Sequence, residues 1–337
     1  MKSIAFKLGS KVDDPACLFD TTVAKPVPGP RDVLVRVHAV GVNPLDTKVR
    51  AGLVQVPDTV RALGWDAAGV VAAVGADVTL FEPGQRVYYA GSFDRTGSNA
   101  EYQLVDERIA AAMPANLSFA QAAAVPLAAL TAWQLLFERF AIAAGDRRQR
   151  GSLLVLGGAG GVGSLLIQLA RQLTGFTVIA TASRPDSVAW CCSMGAHHVI
   201  DHSLPLAAQV AALSVPAVTH IAALSNTAQH FQALAEIIAP HGKLAVIDDH
   251  QQFDAAPLKA KSVSLHWEMV FTRPLYGTPD MIEQHHILQR VARLLEQGVL
   301  RSTLQRRLAP GAASMILAHS MIERGGCCGK IVLSEQD

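Results

Sequence analysis

The sequence predicts an α/β protein in which a β-rich first domain is followed by a doubly wound parallel sheet. Three observations predict it. Residues 152–184 place a strand, a glycine turn, a helix and a second strand in one βαβ unit. From residue 153 to residue 297, apolar strand-like runs alternate with helical stripes. Before residue 118 the pattern is one of short strands separated by Pro- and Gly-rich turns.

In chain order, Asp32 to Val40 alternates, with Val33, Val35 and Val37 on one face and Leu34, Arg36 and His38 on the other, which predicts a strand. Ala68 to Val74 and Gln85 to Tyr89 are two further short strands. Pro28-Gly29-Pro30, Gly75-Ala76-Asp77 and Glu82-Pro83-Gly84-Gln85 supply the turns. Short strands punctuated in this way predict a barrel or a sandwich. Ser118 to Phe140 is rich in Ala and Leu and predicts a helix capped by Ser118. Strands are then predicted at 153–156, 177–181, 198–200, 219–224, 243–247 and 262–271, and helices at 162–173, 185–193, 205–213, 228–238 and 279–297. The last helix is expected to take Thr278 as N-cap, Pro279 in its first turn and Gly298 after its end. The tail from Leu308 to Leu333 reads as a helix and a final strand, Lys330 to Leu333, returning to the first domain. The expected division is thus 1–127 with 305–337, a β-rich domain, and 128–304, a dinucleotide-binding domain.

Composition removes several function classes. Half of the 337 residues are apolar, 17% are charged and the formal net charge is +1, so there is no basic excess to hold nucleic acid or an acidic lipid surface. The N-terminus lacks the apolar core of a signal peptide. The most apolar window, Ala122 to Phe137, is interrupted by Pro126, Thr131 and Gln134 and is too short to span a bilayer. Cys17, Cys191, Cys192, Cys327 and Cys328 have neither zinc-site spacing nor the look of a disulfide framework. Reduced thiols in a cytoplasmic protein are the expectation.

The glycine turn carries the chemistry. Gly158, Gly160 and Gly163 fit G-x-G-x-x-G between the apolar run Leu153–Leu156 and the helical stripe Leu166, Leu169, Ala170 and Leu173. Gly158 is expected to make the tight turn, Gly160 to let the backbone approach a pyrophosphate, and Gly163 to let helix and strand pack closely. The free N–H groups of Gly161, Val162 and Gly163, at the positive end of the helix, would face the phosphates. An NAD site usually places an acid about 20 residues past the glycines. Here the second strand ends in Ala182-Ser183-Arg184. No carboxylate repels a 2′-phosphate, and Ser183 and Arg184 can bind one, so NADPH is expected over NADH. A methyltransferase also has a glycine turn after its first strand, but it too would want an acid at that strand end.

The order of parts and several stretches resemble the medium-chain dehydrogenase/reductase superfamily across essentially the whole chain. The stretches are Gly41-Val42-Asn43-Pro44-Leu45-Asp46, Leu63-Gly64-Trp65-Asp66-Ala67-Ala68-Gly69, Phe81-Glu82-Pro83-Gly84-Gln85-Arg86-Val87, Asn99-Ala100-Glu101-Tyr102, Pro126 to Trp133 and the glycine loop. The resemblance is to the zinc-type alcohol dehydrogenase-like branch, close to the NADPH:quinone oxidoreductases, with Ile247-Asp248-Asp249 and Ser264-Leu265-His266-Trp267-Glu268 among the matching segments. It implies a GroES-like N-terminal domain, a Rossmann domain and a returning tail.

The departures bear on metal. Zinc alcohol dehydrogenases place a catalytic Cys where this chain has Asn43, and Gly-His-Glu where it has Gly64-Trp65-Asp66. The four cysteines of a structural-zinc lobe are missing between roughly residues 90 and 115. No metal site is expected. Metal-free members reduce quinones or conjugated double bonds, which take hydride directly from the cofactor. The resemblance therefore implies an NADPH-dependent quinone or enone reductase. The other readings are a metal-dependent alcohol dehydrogenase with unorthodox ligands and an NADPH-binding protein without turnover.

By resemblance, Asn43 lies at the nicotinamide end of the cleft with its amide free to contact cofactor or substrate. Lys48 and Trp65 are the other catalytic candidates, Lys48 as a hydrogen-bond donor to a carbonyl and Trp65 as a slot-lining surface or a core residue. Asp46 reads as a helix cap or a catalytic acid. Thr131 matches a threonine near the nicotinamide, and His202 a position beside the adenosine phosphate. Tyr88, Tyr89 and Tyr102 are possible proton donors. His197-His198 and His285-His286 read as structural, because adjacent side chains point apart. The long apolar stretch 262–271, if it ends the sheet, invites a second copy, so a homodimer is expected.

Overall fold

The computed structural model describes residues 1–58, 60–249 and 254–335. Its strands are β1 (Lys2–Phe6), β2 (Leu18–Thr22), β3 (Asp32–Val42), β4 (Asp66–Val74), β5 (Arg86–Tyr89), β6 (Tyr102–Asp106), β7 (Ala110–Ala112), β8 (Ser152–Leu156), β9 (Thr177–Thr181), β10 (His198–Ile200), β11 (Val218–Ala223), β12 (Lys243–Val246), β13 (Ser264–Trp267), β14 (Leu304–Leu308) and β15 (Lys330–Ser334). The α-helices are α1 (Pro44–Arg50), α2 (Phe119–Ala123), α3 (Pro126–Trp133), α4 (Gly161–Leu173), α5 (Pro185–Met194), α6 (Leu206–Ala211), α7 (Thr227–Ile237), α8 (Thr272–Tyr276), α9 (Glu283–Glu296) and α10 (Ala312–Glu323).

Backbone contacts divide the chain into two compact units, 1–130 with 271–337 and 131–270. The second unit is a six-stranded parallel sheet in the order β10-β9-β8-β11-β12-β13. Counted from β8 this is 3-2-1-4-5-6, the doubly wound order of dinucleotide-binding folds. The central strand β8 is buried at every position, as its apolar run requires of a strand covered on both faces. Leu154, Ile179, Ile221, Leu244, Phe231 and Leu234 form the core on one side of this sheet.

The first unit is built on a sheet in the order β14-β15-β3-β4-β5-β7, with β6 also paired to β3 and β1-β2 as a separate hairpin. Val33, Val35, Val71, Phe81, Val87 and Tyr89 fill its core, so the alternation read in 32–40 faces inward. The tail returns as expected. Strand β15 pairs antiparallel with β3, Ile331 opposite Val42, while β14 pairs parallel with β15.

Several boundaries differ from expectation. Residues 271–304 group with the first unit, not with the doubly wound one, because α9 packs on β7 and its flanking turn and His285 Nδ1 lies 2.6 Å from the Ala110 carbonyl. The expected helix 118–140 begins at the Ser118 cap, whose Oγ accepts from Gln121 N–H. It is then broken before Pro126 and passes into a π turn at Gln134–Arg139. The last long helix starts at Glu283, because Thr278 closes a local turn onto Asp280 instead of capping. The sixth strand is only Ser264–Trp267, since the chain after it turns into α8. None of the five cysteines lies in a disulfide, and no described helix is long and apolar enough to cross a membrane.

Candidate active site

In the second unit the glycine turn, the end of β9 and the end of β10 lie beyond the carboxyl edges of three neighbouring strands. The turn is tied down by Gly157 N–H to Thr181 Oγ1 at 3.0 Å and Gly158 N–H to Thr181 O at 3.2 Å. Gly158 was expected to make the tight turn, but the left-handed residue there is its neighbour Gly157, φ +83°. A Cβ at Gly158 would lie 2.8 Å from Ala180 Cβ, so that glycine serves helix–strand packing. A Cβ at Gly163 would lie 2.5 Å from Gly157 O and 2.6 Å from Gly158 O. A Cβ at Gly160 would meet nothing closer than 3.7 Å. Gly160 is the N-cap of α4, in extended conformation and without a side-chain cap, so the N–H groups of Gly161, Val162 and Gly163 begin the helix with no intrahelical partner. Gly160, Gly161 and Val162 are all partly exposed. This edge can take an anion.

Ala182 N–H bonds Ile200 O, which sets the two strand ends side by side. Ser183 is half-buried and Arg184 exposed at the start of α5. His202, just past β10, packs edge-on against His230 of α7, with ring centroids 6.2 Å apart. Ser225 was missed by sequence reading. Its Oγ lies 2.7 Å from where a Gly157 Cβ would stand, at the end of β11, where the strand order reverses. Thr131 is buried on the helix that opens this unit.

In the first unit, Asn43 caps α1 and belongs to a buried polar cluster. Its Nδ2 donates to Asp66 Oδ2 at 2.9 Å, and its Oδ1 accepts from the Lys330 ammonium. Lys330 Nζ also donates to Asp66 Oδ2 at 2.7 Å. Asp66 Oδ1 accepts from Leu127 N–H at 2.7 Å. Lys330 and Asp66 have side-chain exposures of 4% and 0%, so the pair is shielded from water. The strands bring these groups together: Gly41 of β3 faces Asp66 of β4 and Val332 of β15, and Lys330 is the first residue of β15. The resemblance implied a free Asn43 amide; instead both its ends are committed inside the protein. Asp46 Oδ2 accepts from Asn43 N–H at 2.8 Å, confirming a cap, while Oδ1 is buried without a hydrogen-bond partner. Burial pushes this carboxyl up to about 7, opposed by the Asn43 N–H and Lys330 and reinforced by Asp66.

Trp65 is fully buried, its indole N–H donating to Ser92 O at 3.2 Å and its ring stacked on Phe93. This is the core role. Lys48 is half-buried on α1. Tyr88 and Tyr89 are fully buried, and burial raises both phenols, so neither offers an accessible proton; Tyr102 lies under Lys25 Nζ, 3.8 Å from its ring centroid. His197 Nδ1 accepts from Val178 N–H, a structural use as expected.

These residues do not fit zinc. An indole N–H has no lone pair, and the Asn43 oxygen already faces an ammonium. Among the described residues no group of three or more His, Cys, Asp or Glu stands where it could hold a metal ion.

Fold and glycine turn define a two-part oxidoreductase of the dinucleotide-binding kind. Residues 29–125 match the alcohol dehydrogenase GroES-like domain and residues 161–283 the zinc-binding dehydrogenase family. A zinc-type alcohol dehydrogenase-like protein from Staphylococcus aureus is 38% identical over 99% of this chain and 100% of its own. A quinone oxidoreductase from Pseudomonas aeruginosa is 30% identical over 91% of this chain and 92% of its own. A crystal structure from Rhizobium etli, assigned provisionally as a zinc-dependent alcohol dehydrogenase, is 48% identical, covers 100% of this chain and 98% of its own, and has a TM-score of 0.93. The chain belongs to the medium-chain dehydrogenase/reductase superfamily, in its zinc-type alcohol dehydrogenase-like branch near the quinone oxidoreductases.

Proposed function

We propose that this protein is an NADPH-dependent, zinc-independent reductase that transfers hydride to a quinone or an α,β-unsaturated carbonyl. The observation that carries the reading is the buried Lys330–Asn43–Asp66 cluster: Asn43, which the resemblance matches to a metal-binding cysteine, has its oxygen taken up by an ammonium. Without a Lewis acid, an alcohol is a poor hydride donor, whereas a quinone or enone accepts hydride with little assistance. The quinone oxidoreductase relative supports the same substrate class.

NADPH supplies the hydride when bound. The chain's own part is to bind, orient and exclude water. The N–H groups of Gly161, Val162 and Gly163 hold the pyrophosphate, with Gly160 leaving room for it and Gly158 keeping the turn packed against the sheet. Ser183, Arg184 and His202 hold the 2′-phosphate, and Thr131 lies toward the nicotinamide. Asn43 acts through its hydrogen bonds, Trp65 through the packing of the wall and Lys48 as a cation on the same helix as Asp46. Once hydride has added to carbon, the anion left on the acceptor takes up one proton from bulk solvent on release.

The reading extends to assembly and location. Strand β13 ends the six-stranded sheet, and Trp267 and Met269 there are 53% and 44% exposed. Two copies pairing antiparallel along β13 would join their sheets into one. Light scattering at micromolar concentration should give the mass of a homodimer. Five cysteines outside any disulfide suit the cytoplasm.

The test of function is a panel of quinones, enones and simple alcohols, run with chelator-treated protein. Oxidation of NADPH by a quinone or enone, undiminished by chelation, is expected. Turnover of alcohols alone, lost on chelation and restored by zinc, would refute the proposal, as would the absence of turnover with every acceptor.

A further inference from the structure

We propose that Lys330 is the resident cation of the first unit's polar cluster and a positioning residue for the reduction. The inference rests on the reading of Asn43 as a site residue given above. Three observations carry it.

The first is chemical. An ammonium has donors only and a carboxylate acceptors only. Lys330 on one side and Asp66 on the other therefore leave Asn43 a single amide orientation, Oδ1 toward the lysine and Nδ2 toward the carboxylate. Remove the ammonium and Oδ1 loses its donor, leaving the amide held at its Nδ2 end alone, by the Asp66 carboxylate and the Gly41 carbonyl.

The second is position. Asn43 is the residue that the resemblance matches to a cysteine ligand, and the Lys330 ammonium bonds its oxygen directly. A lysine is rarely buried without reason. This one starts a strand whose remaining residues are apolar up to Ser334, and it is held by Asp66, which is itself fully buried and tied to Leu127 N–H.

The third is propagation. Asn43 is the N-cap of α1, and its backbone N–H bonds Asp46 Oδ2. The far end of the same helix is anchored by Arg50, which is buried and bonds His319, Ser10 O and Glu323. The helix that carries Asp46 and Lys48 is thus pinned at both ends, and Lys330 sets its N-terminal end.

The test is chemical rescue. Lys330→Ala opens a cavity the size of a propylamine. Its kcat should fall at least tenfold, with KM for NADPH little changed because the phosphate contacts lie in the other unit. n-Propylammonium should restore part of the loss, and n-propanol, which has the shape without the charge, should not. Equal restoration by the alcohol, or wild-type kcat in the unsupplemented variant, would overturn the proposal. Should Lys330→Ala fail to fold, the double variant Asp66→Asn/Lys330→Met removes both buried charges together, which such pairs tolerate. It should fold with a melting temperature near wild type and still lose at least tenfold in kcat; wild-type kcat would show the cluster to be structural only. If wild type itself reduces no quinone or enone, the functional reading fails separately. The cation role is then decided by the melting temperature of Lys330→Ala, which propylammonium and not propanol should raise; an equal rise with both would overturn it.

Discussion

Gly160→Ala and Gly163→Ala sit three residues apart in one motif, and the structure gives them opposite consequences. At Gly163 an added Cβ would lie 2.5 to 2.7 Å from Gly157 O, Gly158 O and Gly158 C. These are backbone atoms of the turn, held by Thr181, and cannot rotate away as a side-chain tip would. Overpacking of this kind costs about 1–3 kcal/mol, and the rigidity of the neighbours places it near the upper end. At Gly160 the new methyl would have 3.7 Å to its nearest neighbour, and φ −71° with ψ 177° suits alanine. Its cost to folding is about 1 kcal/mol or less, because alanine is a poorer N-cap than glycine but restricts the unfolded chain, which offsets part of the loss. The methyl does, however, occupy the space through which a pyrophosphate would reach the first N–H groups of α4. Losing one or two charge-assisted bonds, about 1.5–3 kcal/mol each, weakens NADPH binding roughly 10- to 150-fold or more. Thermal melting followed by circular dichroism, together with NADPH titration by fluorescence, separates the cases. Gly160→Ala should melt like wild type and bind NADPH poorly; Gly163→Ala should melt markedly lower. Wild-type NADPH affinity in Gly160→Ala would refute the assignment of that space to the pyrophosphate.

Arg184→Ala should weaken NADPH by about 1.5–3 kcal/mol, roughly 10- to 150-fold, and leave NADH nearly unchanged; equal loss for both cofactors would remove Arg184 from the 2′-phosphate. Acid sensitivity should trace to His220 and His319, which burial lowers to about 4 and about 3. Because the unfolded chain protonates first, near 6.5, the stability these residues contribute is complete above that pH and is lost as pH falls toward the folded values. His220→Phe should therefore lose about 2 kcal/mol less than wild type between pH 6.5 and pH 5, measured by urea unfolding. Asp46 has the opposite sign. Its raised pKa, about 7, means stability is lost as pH rises from about 4 to 7, and Asp46→Asn should flatten that limb of the profile.

How far the sequence reaches depends on how local the signal is. The unit from β8 through α4 to β9 was legible nearly to the residue, because a fully buried strand, a glycine turn and a helix with an apolar stripe each leave a mark within a few positions. The Ser118 cap was legible for the same reason. The break at Pro126 was equally visible but overridden by the run of Ala and Leu around it. The start of α9 was misplaced because Thr278 and Asp280 satisfy each other locally, which competes with capping. Nothing local in residues 271–304 marks the unit they pack with, because only long-range contacts such as those of α9 with β7 group them with the first. The Lys330 cluster was the least legible of all. Its partner Asn43 lies 287 residues away, and the one hint was a lone lysine heading an apolar strand.

The central claim, direct hydride transfer from NADPH to a quinone or enone without metal, is tested most directly by isotope transfer. Chelator-treated protein is supplied with an enone and with NADPH deuterated at one or the other face of the nicotinamide C4. One of the two labelled cofactors should deliver a single deuterium to the reduced carbon and the other none. Product without deuterium from either cofactor, or label transfer that appears only when zinc is restored, would contradict it.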